Sequence, residues 1–169
     1  MKHLLNCLLV LLTLTSFSAV MAQSLPENEL AIRTVIECET QAYLNRDAPR
    51  QAACWATETG LSQHISLGDG KLVVANGDRP SLCRGLATCF RELPDPDPST
   101  FVHTDYRIRI RGEAAFVTFH QAMYHPARPD SHSEQVRYLE READGWKIVH
   151  TSALYYEPIF DKSLMTKKP

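Results

Sequence analysis

FVHTDYRIRIR at 101–111, AAFVTFHQAMY at 114–124, EQVRYLERE at 134–142 and WKIVHTSALYY at 146–156 decide the fold of this chain. Each is rich in β-branched and aromatic residues and parted from the next by turn formers, so the four read as consecutive strands. Tyr106, Ile108 and Ile110 alternate with Arg107, Arg109 and Arg111, the period of two that marks a half-buried strand with one charged face. Ala143-Asp144-Gly145 then returns the chain into Trp146, making the last two strands an antiparallel hairpin.

Upstream, the pattern is helical. A Ser24 cap with Pro26 and Glu27 in the first turn predicts a helix to about Asn45. At about 100° per residue, Ile32, Val35, Ile36, Glu39, Ala42 and Tyr43 share an arc of roughly 120°, with Glu39 inside the apolar stripe. Burying that carboxylate charged and unpaired costs several kcal/mol. Two readings stand: a pocket-facing acid or base, or a structural carboxylate bonded to an arginine, an indole or a tyrosine hydroxyl.

A break at 45–49 leads to a short second helix over 50–56 carrying Cys54 and a core Trp55. A strand over 61–67 sets Leu61, Ile65 and Leu67 on one face and Ser62, His64 and Ser66 on the other. A second strand follows at 71–75, then an Asn76-Gly77-Asp78 turn in which Asp78 caps a third helix with Pro80 in its first turn. Leu82, Leu86, Cys89, Phe90 and Leu93 form its apolar side, and it stops before the stiff crossing loop Pro94-Asp95-Pro96-Asp97-Pro98. The sum is an α+β domain: three N-terminal helical segments packed on one face of a curved, mainly antiparallel sheet.

Residues 1–22 read as a signal peptide. Lys2 and His3 precede an apolar run over 4–14, and Ser18-Ala19-Val20-Met21-Ala22 offers small residues for cleavage after Ala22. The run is shorter than the ~20 apolar residues of a membrane span, so the expectation is a secreted or periplasmic protein with no membrane segment after cleavage. Residues 23–169 then form one domain. A net charge of -2 and a pI near 6.4 argue against a nucleic-acid partner.

Cleavage leaves Cys38, Cys54, Cys83 and Cys89 in an oxidising compartment. Cys83 and Cys89 lie about 9 Å of helical rise apart and cannot pair with each other. Cys38 and Cys54 either pair across packed helices or stay as buried thiols.

The stretch from Ala31 and Ile32 through Tyr43 with Asn45-Arg46-Asp47, then Cys54-Trp55-Ala56, and the closing Asp144-Gly145-Trp146-Lys147-Ile148-Val149-His150 resemble the nuclear transport factor 2-like superfamily, and within it the SnoaL-like proteins. The resemblance covers nearly all of 23–169. It implies a cone-shaped domain whose sheet wraps the first helix, a pocket at the open end, and a homodimer formed through the sheet. The superfamily holds ketosteroid isomerases, scytalone dehydratase, limonene epoxide hydrolase and polyketide cyclases beside members that only bind or assemble, so function must come from the residues. The isomerases and cyclases place an acidic base near the first strand, where 61–67 has no carboxylate.

Three functions follow. In the leading one, the cone binds a small, partly apolar molecule, with Tyr43, Trp55, Phe119 and Tyr138 lining the pocket and Glu39, His120 or His150 orienting the ligand. In the second, Glu39 and His150 are the general acid and base of a cofactor-free lyase, isomerase or hydrolase, with Tyr43 as a hydrogen-bond donor. In the third, the sheet makes a homodimer and side chains fill the cone. His103, His120, His125, His132 and His150 match no short metal-ligand motif, and no phosphate loop or nucleophile elbow is present, so neither a metal nor a cofactor is expected.

Overall fold

The computed structural model describes residues 24–57, 59–66 and 70–156; the expected leader, Leu67 and Asp69 lie outside them. Helix α1 (Leu25–Leu44) opens with a capping box: Ser24 Oγ accepts from the Glu27 amide at 3.4 Å and the Glu27 carboxylate accepts from the Ser24 amide at 2.9 Å. Asp47 caps α2 (Ala48–Ala53), and Asp78 caps α3 (Arg79–Glu92) by accepting from the Ser81 amide at 2.8 Å. The strands are β1 (Thr59–Ser66), β2 (Leu72–Asp78), β3 (Thr100–Arg111), β4 (Ala114–His125), β5 (Arg128–Glu142) and β6 (Gly145–Tyr155). They form one sheet in the order β2-β1-β6-β5-β4-β3, antiparallel throughout except for β1 against β6.

The sheet curls around α1. Ile32 and Ile36, fully buried on that helix, belong to one core with Trp55, Val117, Phe119, Leu139, Trp146 and Ile148. On β4 and β5 the odd-numbered residues face this core, and their even-numbered neighbours form the outer face, where Phe116 is 48% exposed. No helix among the described residues is long and apolar enough to cross a membrane.

Several sequence expectations are corrected. Strand β5 begins at Arg128 rather than 134, so His125 and His132 both lie on the β4–β5 ladder. Helix α2 ends at Ala53, and Trp55 instead bridges in parallel to Ile148, with the Ala56 amide donating to the Ile148 carbonyl at 2.9 Å. Asn76-Gly77-Asp78 is the end of β2 and not a turn, because the β1 ladder continues through Asp78.

The β5–β6 turn is confirmed, and Gly145 carries it at a φ of +122°. A Cβ there meets nothing within 4 Å, so its cost is backbone strain alone. Gly145→Ala is expected to destabilise the fold by about 1 kcal/mol or more, read by urea titration.

Candidate functional site

The wide end of the cone encloses a cavity of about 260 Å³ between α1, α2 and the concave face of the sheet. Helix α1 presents Glu39, Thr40 and Tyr43, β4 presents Gln121, β5 presents Gln135 and Arg137, and β6 presents Thr151, Ala153 and Tyr155. Gln51, Gln63, Ile65, Leu86 and Phe101 complete it. A second, more apolar cavity of about 290 Å³ lies under α3, lined by Trp55, Leu61 and Leu82 among others, and shares Gln63 and Leu86 with the first. The lining is thus a polar chamber adjoining an apolar one, not the largely apolar pocket expected from the sequence.

Arg137 dominates the polar chamber. The residue is 7% exposed, and only its Nη1 donates to a described residue, to Gln135 Oε1 at 2.9 Å and the Val136 carbonyl at 3.0 Å. Its buried Nε has no hydrogen-bond partner, and no carboxylate among the described residues reaches ion-pair distance. The Phe119 ring lies 5.4 Å from the guanidinium carbon. Burial pulls the Arg137 pKa down, while the Glu39 carboxylate acts in the opposite direction. Desolvating a cation this far without an ion-pair partner costs several kcal/mol, which its two hydrogen bonds offset in part.

Glu39 is buried at 8% exposure, and its Oε1 accepts from Gln51 Nε2 at 3.0 Å, so α2 orients it. Gln121 is held from behind. His103, its side chain fully buried, meets Gln121 Oε1 through Nε2 at 3.0 Å and Glu37 Oε1 through Nδ1 at 2.8 Å, and the Tyr106 hydroxyl donates to the same carboxylate oxygen at 2.9 Å. This chain of bonds fixes the Gln121 amide at the cavity wall. Burial raises the Tyr155 pKa, so its phenol stays protonated.

Of the side chains singled out in the sequence, Glu39 and Tyr43 line the polar chamber and Trp55 the apolar one. Phe119 is packed in the core beneath Arg137. His120, Tyr138 and His150 are placed on the outer face, a correction to all three. His150 is moved by a bulge: Tyr138 pairs with His150 but Leu139 pairs with Ile148, so Val149 is an extra residue and the parity of β6 changes there. His150 Nδ1 then bonds Ser62 Oγ at 2.7 Å, its ring lies 5.0 Å from that of His64, and burial first and His64 second lower its pKa. His120 meets His132 at 3.2 Å. Glu39 and His150 therefore stand on opposite faces of the sheet and form no acid–base pair.

Sequence reasoning misses Arg137, Gln121, Gln135 and Gln63. A signal exists: the two-residue turn before Gly145 brings Leu139 opposite the core residue Ile148, and period two then carries Arg137 and Gln135 to the same face.

No family model and no curated protein matches the chain. Solved structures do. An NTF2-like protein with a cystatin-like fold from Novosphingobium aromaticivorans is similar at a TM-score of 0.58 and 16% identity over 76% of this chain and 82% of its own. A protein of unknown function from Mycobacterium tuberculosis gives 0.61 and 14% over 90% and 86%, and the CaMKII hub of S. rosetta 0.57 and 16% over 74% and 94%. The fold is that of the cone-shaped, cystatin-like class. Within it, the chain has the nuclear transport factor 2-like fold.

Proposed function

We propose that the protein binds a small carboxylic acid, with the carboxylate on Arg137 and an apolar end under α3 beside Trp55. The observation that carries this is the buried Arg137 guanidinium with no carboxylate partner among the described residues, in the wall of a cavity. A planar fork of donors matches a carboxylate, and the adjoining chambers, one polar and one apolar, suit an acid with a short hydrocarbon part. Each chamber alone, about 260 and 290 Å³, is near the low end of the ~300–1,000 Å³ usual for small-molecule sites, which favours a small ligand. Calorimetric titration with a panel of short-chain and aromatic acids, each beside its amide, tests it. Acids should bind and amides should not; equal binding, or none, overturns the reading.

Glu39 shares the chamber and repels an anion there. Glu39→Gln keeps a partner for Gln51 and is expected to tighten acid binding several-fold in the same titration. Loss of binding instead would mean that Glu39 grips the ligand.

A second copy of the chain is proposed on the outer face. Phe116 and Leu154, 48% and 54% exposed, lie there with Val136 and Tyr138. Sedimentation should give a dimer that Phe116→Asp dissociates. The leader-like residues 1–22 support export, to the periplasm or beyond.

A further inference from the structure

Outside the cone, an open groove runs between α1 and the β5–β6 turn, and two cysteines meet at its floor. Cys38, half-buried on α1, and Cys54, buried at the C-cap of α2, both line it. Arg50 Nε donates to Cys38 Sγ at 3.4 Å, and Cys54 Sγ lies 3.4 Å from the Arg50 carbonyl with the Cys38 sulfur as its other neighbour. Lys147 reaches across to donate to the Ala53 carbonyl at 2.9 Å, adding a second cation. Reactive thiols keep such company, partly exposed and beside Arg or Lys.

We propose that Cys38 and Cys54 form a thiol–disulfide site in which Cys38 attacks a small disulfide and Cys54 resolves the adduct. In the first step the Cys38 thiolate displaces one thiolate from a reagent such as oxidised glutathione, leaving a mixed disulfide on Cys38. In the second, the Cys54 thiolate attacks Cys38 Sγ and expels the other. The protein loses two protons and two electrons, and the reagent becomes two thiols.

The geometry sets the order. Cys38 is open to the groove and Cys54 lies beneath it. The Cys54 thiol is pushed up to about 12, by burial first and by the Cys38 sulfur next, with Lys147 opposing. Converting Cys38 to a mixed disulfide removes the Cys38 contribution, while burial and Glu39 still hold the Cys54 thiol up and Lys147 opposes them. Closure would tie α1 to the end of α2, next to the Gln51 that orients Glu39.

The purified, reduced protein is treated with oxidised glutathione, alkylated and mapped by peptide mass spectrometry. A peptide linking Cys38 to Cys54 is expected, with Cys83 and Cys89 outside that link. In Cys54→Ser, glutathione should stay trapped on Cys38; in Cys38→Ser, Cys54 should stay unmodified on that timescale. Cys38 and Cys54 remaining alkylatable after oxidation, a link to Cys83 or Cys89, or modification of Cys54 before Cys38 would overturn the proposal. The wild-type peptide map decides between linked and unlinked thiols even if a variant fails to fold.

Discussion

Arg137→Met should leave the protein at least as stable and unable to hold its ligand. The two effects have one cause. In the free protein the guanidinium is buried with no carboxylate at ion-pair distance among the described residues, and its Nε is unpartnered. Methionine keeps most of the aliphatic stem and removes the desolvated charge. Two charge-assisted bonds, to Gln135 and Val136, are lost, each worth about 1.5–3 kcal/mol. Removing the buried charge recovers several kcal/mol, so the terms offset and no net loss of stability is expected in a denaturant titration. Binding of the acid should fall by about 2–5 kcal/mol, roughly 30-fold to several thousand-fold, the cost of deleting one partner of a buried charge pair. A variant that loses stability and keeps its affinity would make Arg137 structural and end the carboxylate reading. This pairing of outcomes separates a charge kept for function from one kept for the fold.

Trp146→Ala should cost about 3–5 kcal/mol, well beyond the loss expected for Gly145→Ala. Trp146 is 3% exposed and packs in the core at the narrow end of the cone. Its indole Nε1 donates to Asn28 Oδ1 at 3.2 Å, and Arg141, whose Nη2 donates to the same oxygen at 2.6 Å, lies 5.2 Å over the ring. Truncation leaves a cavity and also dismantles the polar contact that joins α1 to the β5–β6 hairpin. Thermal unfolding followed by circular dichroism reads the loss. Trp146→Phe keeps much of the ring volume and should cost clearly less, because only the indole bond and part of the ring are removed. A midpoint unchanged in Trp146→Ala would mean that the hairpin does not anchor α1.

Local chemistry is legible in the sequence because it is written locally. Capping residues such as Ser24 and Asp78, the alternation of isoleucine and arginine on β3, and the Gly145 turn each specify a few neighbouring dihedrals, and together they determine the α+β architecture. Glu39 is visible for the same reason, as a carboxylate inside an apolar helical stripe. What faces the cone is not written that way. A period of two states that a strand has two faces without saying which one the rest of the molecule covers. On β5 Tyr138 reads as facing the inside, yet curvature of the sheet around α1 buries Gln135 and Arg137 instead. One inserted residue, Val149, then reverses the facing of His150 relative to Ile148. The elements and their order thus follow from the chain's local chemistry. Which side of each strand becomes the interior is settled in three dimensions, because that choice is made by packing between segments distant along the chain.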